Sequence, residues 1–212
     1  MNDAAGVSES GYLAAEKADL VWRIKVTAGS RFIAAERLRR REKRVSVLNA
    51  VASAAVIFLS IVSATIHTAP IIGAGLLLVT IFASLLILVT ALIQFASNDA
   101  VNAERMHQCA LALGALRRTL MYAEFQRRSE LLAFANEYDS ILARYPNHES
   151  ADYQRYRNKH PTEFADYPQR GKGPGGVGSA FVTSLLPLIA SIITIVLTII
   201  AVGLALWGHW LG

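Results

Sequence analysis

Charge is missing from two long stretches of this chain. From Val45 to Ser97, and again from Val177 to Gly212, there is no Asp, Glu, Lys or Arg. A soluble helix keeps a polar face even where its other face is buried, so runs of this length exclude an ordinary soluble globule. Each exceeds the ~20 residues a helix needs to cross a hydrocarbon core of about 30 Å. Cysteine is nearly absent: Cys109 is the only one, which excludes a disulfide framework and leaves a small core residue. Catalytic patterns are absent as well. There is no GxxxxGK followed by Ser or Thr, no HExxH pair, no GxSxG elbow and no paired-cysteine metal motif. His148 and His160, near Glu149 and Asp152, match no metal-ligand spacing. The chain is therefore expected to be no enzyme, with no catalytic, cofactor-binding or metal-ligating residues.

The charges that are present fall around the apolar runs. Residues 1–44 read as an N-terminal amphipathic, basic helix, with Leu20, Ile24, Ala28, Phe32, Ala35 and Leu38 recurring every three or four positions. No apolar core with a small-residue cleavage site precedes the first run, so that span is expected to act as the insertion signal. The helix ends in a cluster that includes Arg37, Arg39, Arg40, Arg41, Lys43 and Arg44. Cations just before a span face an anionic inner leaflet, each worth about 1 kcal/mol there. Aromatic interleaving and a recognition fold are both lacking, so nucleic acid is not an expected partner. The lipid bilayer is.

Residues 45–96 are expected to form a two-span hairpin, since only His67, Thr68, Ala69 and Pro70 separate the two apolar halves. Within it, Ser53, Ser60 and Ala64, and Gly73, Thr80, Ser84, Ala91 and Gln94, recur at spacings that put each set roughly on one face. Such faces suit either close helix packing or a weakly polar pore lining. Thr80, Ser84 and Gln94 are the pore-lining candidates.

Residues 97–170 form a charged helical region. Its stripe of Met106, Cys109, Leu113, Leu116 and Leu120 resumes at Leu131, Phe134, Tyr138, Ile141 and Tyr145. The gap of eleven residues equals three helical turns, as if one stripe ran through a stutter. Its partner is either the N-terminal helix of the same chain or a second copy, and Leu113, Leu116 and Leu120 are the candidates for self-association. Pro146 ends that helix, and Asn147 or Ser150 is placed to cap a short one before Pro161. Residues 171–178, GKGPGGVG, read as a linker. Residues 179–212 read as a third, C-terminal transmembrane helix with Trp207 and Trp210 at an interface. The fold class expected is thus an all-α integral membrane protein: a transmembrane hairpin flanked by cytoplasmic helices, plus a third span.

The order of these parts resembles the SLATT domains, bacterial two-span effector domains associated with nucleotide second-messenger synthases and nucleotide sensors. The resemblance covers about Tyr12 to Lys159. It is carried by AAERLRRREKR (Ala34 to Arg44), by the tight hairpin, and by the following helical region that closes with YPNHESADYQRY (Tyr145 to Tyr156). It implies an oligomeric, non-enzymatic effector of bacterial conflict systems that permeabilises the inner membrane when a partner sensor, such as a nucleotide-signalling protein, meets phage. Two other readings remain open: a membrane scaffold recruiting a cytoplasmic partner through Met106 to Tyr156, and a small transporter subunit. The lack of intramembrane charge counts against the last.

Ten of the 21 basic residues precede the first apolar run and eleven lie between the second and third, while the hairpin loop and tail have none. The positive-inside rule then places the N-terminus and residues 97–170 in the cytoplasm and the C-terminus in the periplasm. A reporter fused at Gly212 should be active only as a periplasmic fusion. Cytoplasmic behaviour would remove the third crossing.

Overall fold

The computed structural model describes residues 9–65, 70–125 and 127–164, with Ile193, Ile200 and Gly203. Among these residues there is helix and no strand. Five α-helices follow in order: α1 (Glu9–Thr65), α2 (Pro70–Ser97), α3 (Asp99–Tyr122), α4 (Arg128–Ala143) and α5 (Ser150–Lys159), then a 3₁₀ turn (Pro161–Phe164). The chain divides into two compact units. One comprises Met1–Arg39 with Ala100–Gly176, and the other Arg40–Asp99 with Val177–Gly212. The expected hairpin loop 66–69, the linker and the third span lie outside the described residues, apart from Ile193, Ile200 and Gly203, which are helical and exposed.

The first unit is a bundle built around α1. Its core joins Leu20, Ile24 and Ala28 of α1 to Cys109, Leu113, Leu116 and Leu120 of α3, and to Leu131, Tyr138 and Ile141 of α4. A second cluster sets Ala34, Ala35 and Leu38 against Ala103 and Met106. Polar contacts give the directions. Arg31 reaches Met106 and Lys17 reaches Met121 and Ala123, so α3 runs antiparallel to α1. Glu16 meets Arg128 and Thr27 meets Tyr138, so α4 runs parallel to it.

The single stripe expected from Met106 to Tyr145 is therefore two stripes on two helices. Lys17 Nζ donates to the carbonyls of Met121 and Ala123 at 3.1 and 2.7 Å, satisfying acceptors that the end of α3 leaves open. Phe125 turns inward onto Phe134, ring centroids 5.5 Å apart, with the Lys17 ammonium over its face. The chain reverses there, and a reversal preserves an apolar stripe as well as a stutter does. The partner that Leu113, Leu116 and Leu120 required is the chain's own α1. At 0%, 5% and 0% exposure they leave no apolar edge for a second copy, so the premise for self-association through them is gone.

Past α4, α5 and the 3₁₀ turn run back along α1. Arg37 holds Asp152 through two hydrogen bonds of 2.9 and 3.0 Å and Glu149 at 2.9 Å; Lys25 holds Glu163 at 2.8 Å; and Trp22 packs edge-on to Phe164. Between these points Tyr156 lies over Gly29, where an added Cβ would fall inside the Tyr156 ring. Burial, together with the charge of Glu163 and a hydrogen bond to it, pushes the Tyr156 phenol up to about 12. Burial alone would lower the Arg37 guanidinium, but Asp152 and Glu149 hold it above its ordinary value. The N-cap of α5 is Glu149, without a side-chain cap bond, rather than Asn147 or Ser150. Asn147 instead accepts a bond from the amide of His148. Cys109 is fully buried, and burial pushes its thiol up, consistent with a packing role.

The double change Leu113→Asp with Leu116→Asp should unfold this bundle rather than dissociate intact subunits. Replacing buried leucines costs about 2 to 5 kcal/mol each even when the new residue is alanine. Far-ultraviolet circular dichroism and protease sensitivity of the purified protein would check it. Retained helicity with a smaller oligomer would restore the self-association reading.

Candidate functional site

The second unit contains the hairpin, and the region without charge constrains its chemistry. Inside hydrocarbon no water completes a hydrogen bond, so each polar group there must find its partner within the protein. The last stretch of α1 meets the C-terminal part of α2 where Asn49 reaches Thr90 and Gln94, and both helices carry buried positions along their length. On α1 the inward positions are Val45, Ala52, Val56 and Leu59, and on α2 they are Leu76, Ala83 and Thr90. Steps of three, four and seven keep these positions on one face of each helix, and the pairs Arg41–Asp99, Asn49–Gln94 and Asn49–Thr90 set the two helices antiparallel. The opposite faces carry Val47, Val51, Ile57, Phe58 and Ile61, and Leu77, Leu78, Ile81, Phe82, Leu85 and Leu88, all exposed. Only 22% and 17% of the most apolar stretch of the two long helices is buried inside the chain. Buried helices of a soluble core would show the reverse, so these are lipid-facing surfaces.

One polar group interrupts these apolar faces. Asn49, on α1, donates from Nδ2 to Gln94 Oε1 at 3.1 Å, and its Oδ1 lies 3.0 Å from the Thr90 hydroxyl. That hydroxyl is also 2.9 Å from the Ile87 carbonyl and has one proton to give to either acceptor. The carboxamide of Asn49 thus ties two turns of α2 to α1. One step nearer the charged flank, Arg41 Nε meets Asp99 Oδ2 at 3.3 Å, the arginine half-buried and the aspartate nearly buried. Between them Asn98 adopts a left-handed backbone with φ 50°, ending α2 before Asp99 opens α3. Asn is among the few residues other than Gly that accept this conformation readily.

Of the three pore-lining candidates, the structure brings Gln94 into this cluster and leaves the other two apart. The Thr80 hydroxyl donates to the Leu76 carbonyl and the Ser84 hydroxyl to the Thr80 carbonyl, each at 2.8 Å and one turn back. Thr80 is half-buried, whereas Ser84 is exposed. In a single hairpin the three form no common lining. Among the basic candidates, Arg39, Arg40, Lys43 and Arg44 are exposed. Arg37 and Arg41 are half-buried and committed to Asp152 and Asp99, so charge count alone overstated the basic surface. Asn49 and Thr90 were missed as a site. The signal was present: Asn49 and Gln94 are the only carboxamides in the uncharged run from Val45 to Ser97.

Interhelical hydrogen bonds in membranes average about 0.6 kcal/mol and reach about 1.7. A double-mutant cycle of Asn49→Ala with Gln94→Ala should give a coupling energy in that range by unfolding in mixed micelles. Strict additivity would mean that the two carboxamides do not meet.

Known proteins add one match to this geometry. A family model for the SMODS and SLOG-associating 2TM effector domain family 5 matches residues 13–206. It extends past Lys159, where the resemblance carried by the sequence alone ended, and takes in most of the C-terminal apolar run. No curated protein and no solved structure matches the chain.

Proposed function

The chain belongs to the SMODS and SLOG-associating 2TM effector domains, family 5, and on that premise we propose that it forms an oligomeric pore in the bacterial inner membrane when a partner sensor is triggered by phage. Domains of this family are two-span effectors of conflict systems. The observation that supports permeation is the distribution of polarity in the hairpin. Its polar side chains are few and uncharged, and Asn49, Ser53, Ser60, Thr80, Ser84 and Thr90 are bonded within one chain, while broad apolar faces lie outward. Such a unit is stable alone in lipid and needs only new helix neighbours, not new chemistry, to enclose a polar face. In the proposed pore, Ser84 and Thr80 turn toward a shared axis, and Gln94 exchanges its bond to Asn49 for water or a neighbouring subunit.

On this reading the protein is not an enzyme, its oligomer contacts lie between hairpins, and its charged unit faces the cytoplasm, where a sensor protein reaches it. Exposed Leu111, Tyr122 and Leu132 on that unit favour a second reading, a membrane scaffold for a cytoplasmic partner. Neither reading involves nucleic acid.

Replacing Thr80 and Ser84 together with Leu should lower ion leak by about tenfold or more while leaving insertion intact, since Leu is favourable at a helix centre. Membrane potential in expressing cells and dye efflux from liposomes would measure it. Unchanged leak would remove these residues from the path. No leak from the native protein with its trigger present would leave the scaffold.

A further inference from the structure

The charged unit contains a cleft of ≈ 240 Å³ that the membrane action does not use. Trp22, Arg23, Val26, Thr27 and Ser30 of α1 form one wall, Tyr138 of α4 the second, and His148 and Tyr153 of the returning segment the third. The aromatic walls are held in place. Trp22 and Tyr153 both pack edge-on to Phe164, at 5.8 and 6.1 Å, and the Tyr138 hydroxyl is fixed by Thr27 at 2.9 Å.

The polar groups at this place are not balanced. Arg31, next in sequence to Ser30, is 2% exposed, yet its guanidinium meets no carboxylate among the described residues. Its contacts are the Pro146 carbonyl at 2.8 Å and the Met106 sulfur at 4.0 Å. Its Nε is buried without a hydrogen-bond partner, and so is Nδ1 of His148. Buried cations are ordinarily paired, and buried polar atoms ordinarily bonded. Asp152 and Glu149 do not supply the missing charge, because Arg37 holds both. Arg31 does not line the cleft, but its bond to the Pro146 carbonyl holds its charge behind the wall, two residues from His148; burial first, and then that charge, lower the His148 imidazole below its ordinary value. A second cation, Arg23, lies over the Tyr138 ring at 5.7 Å. Among the described residues, no acid lines the cleft.

We infer that this cleft binds a small anion carrying a planar aromatic or heteroaromatic ring, its charge beside Arg23, with the buried Arg31 behind the wall, and its ring held among Trp22, Tyr138 and Tyr153. The volume lies just below the usual range for ligand pockets, about 300 Å³ upward, which suits one ring system with one anionic group and excludes a dinucleotide. Thr27, Ser30 and a neutral His148 can each accept or donate a hydrogen bond to a ring heteroatom. Two sources share this chemistry, a mononucleotide and an aromatic carboxylic acid. Bound between α1, α4 and α5, either one would clamp the returning segment to the bundle. The inference does not depend on the pore reading, since binding is measured without conductance.

The test is calorimetry on the full chain in detergent with four probes: adenosine 5′-monophosphate, indole-3-acetate, adenosine as a ring without charge, and inorganic phosphate as charge without a ring. At least one of the first two should bind, and more tightly than the last two; which one binds separates the two sources. Arg23→Ala and Tyr153→Ala should each weaken that binding about tenfold or more, as expected for loss of a charged hydrogen bond or of an aromatic contact. If Tyr153→Ala loses helicity, Arg23→Ala and His148→Phe carry the test. Absence of binding by both anionic ring compounds at millimolar concentration overturns the inference. So does phosphate binding as tightly as they do, or folded variants that bind like the native chain.

Discussion

Every helix of the charged unit is fastened to α1, and that dependence organises the rest. α1 presents an apolar strip from Leu20 to Leu38 to α3 and α4. Its other positions, Trp22, Lys25, Gly29 and Arg37, take the returning α5 and the 3₁₀ turn. The two kinds of attachment differ physically. The first is apolar burial, which is non-directional and contributes roughly 25 cal/mol per Å². The second combines one ring over a glycine with charged pairs: Lys25–Glu163 is partly exposed and individually weak, whereas Asp152 is fully buried and doubly bonded by Arg37, so losing either partner of that pair would be costly. The returning segment is thus held by specific contacts on a bundle that packs its core without it.

The hairpin follows a different economy, because water is not available to its polar groups. Asn49 is tolerated within the apolar run since both ends of its carboxamide are engaged by α2. The hydroxyls of Ser53, Ser60, Thr80 and Ser84 turn back to carbonyls one turn earlier on their own helices, which requires no partner helix at all. Apolar residues on the buried faces, two of them alanines, and large ones outside then leave dispersion and lipid contact to hold the pair together.

Much of this was legible in the residues. The absence of charge from Val45 to Ser97 identified the spans, while Pro70, read as the last residue of the loop, is instead the first residue of α2, where its missing amide hydrogen costs nothing. What periodicity could not supply was direction. Leu120 and Leu131 sit in register on a straight helix and equally across a reversal, and the choice rested on Lys17 capping α3 from more than a hundred residues away in sequence. Charge counting failed in a similar way. Arg37 and Arg41 look like their neighbours Arg39 and Arg40 in the sequence, yet the first two are claimed by Asp152 and Asp99, residues that approach only after folding. The cleft was not legible at all, because its walls come from three separate segments.

The strength of the polar cluster bears on how a hairpin of this kind could change partners. If Asn49 were tied to α2 by bonds worth as much as an unsatisfied group costs in hydrocarbon, the pair would be locked. Measured interhelical bonds in membranes are weaker, about 0.6 kcal/mol on average, because the separated helices also find partners. Exchanging Gln94 from Asn49 to a neighbouring subunit is therefore nearly neutral, provided that at no stage is the carboxamide left without a partner. A concerted rearrangement among several hairpins meets that condition, whereas opening one isolated hairpin does not. On the proposed reading, assembly is then the event that makes the polar face available, and the single chain stays closed because its carboxamides have nowhere else to go.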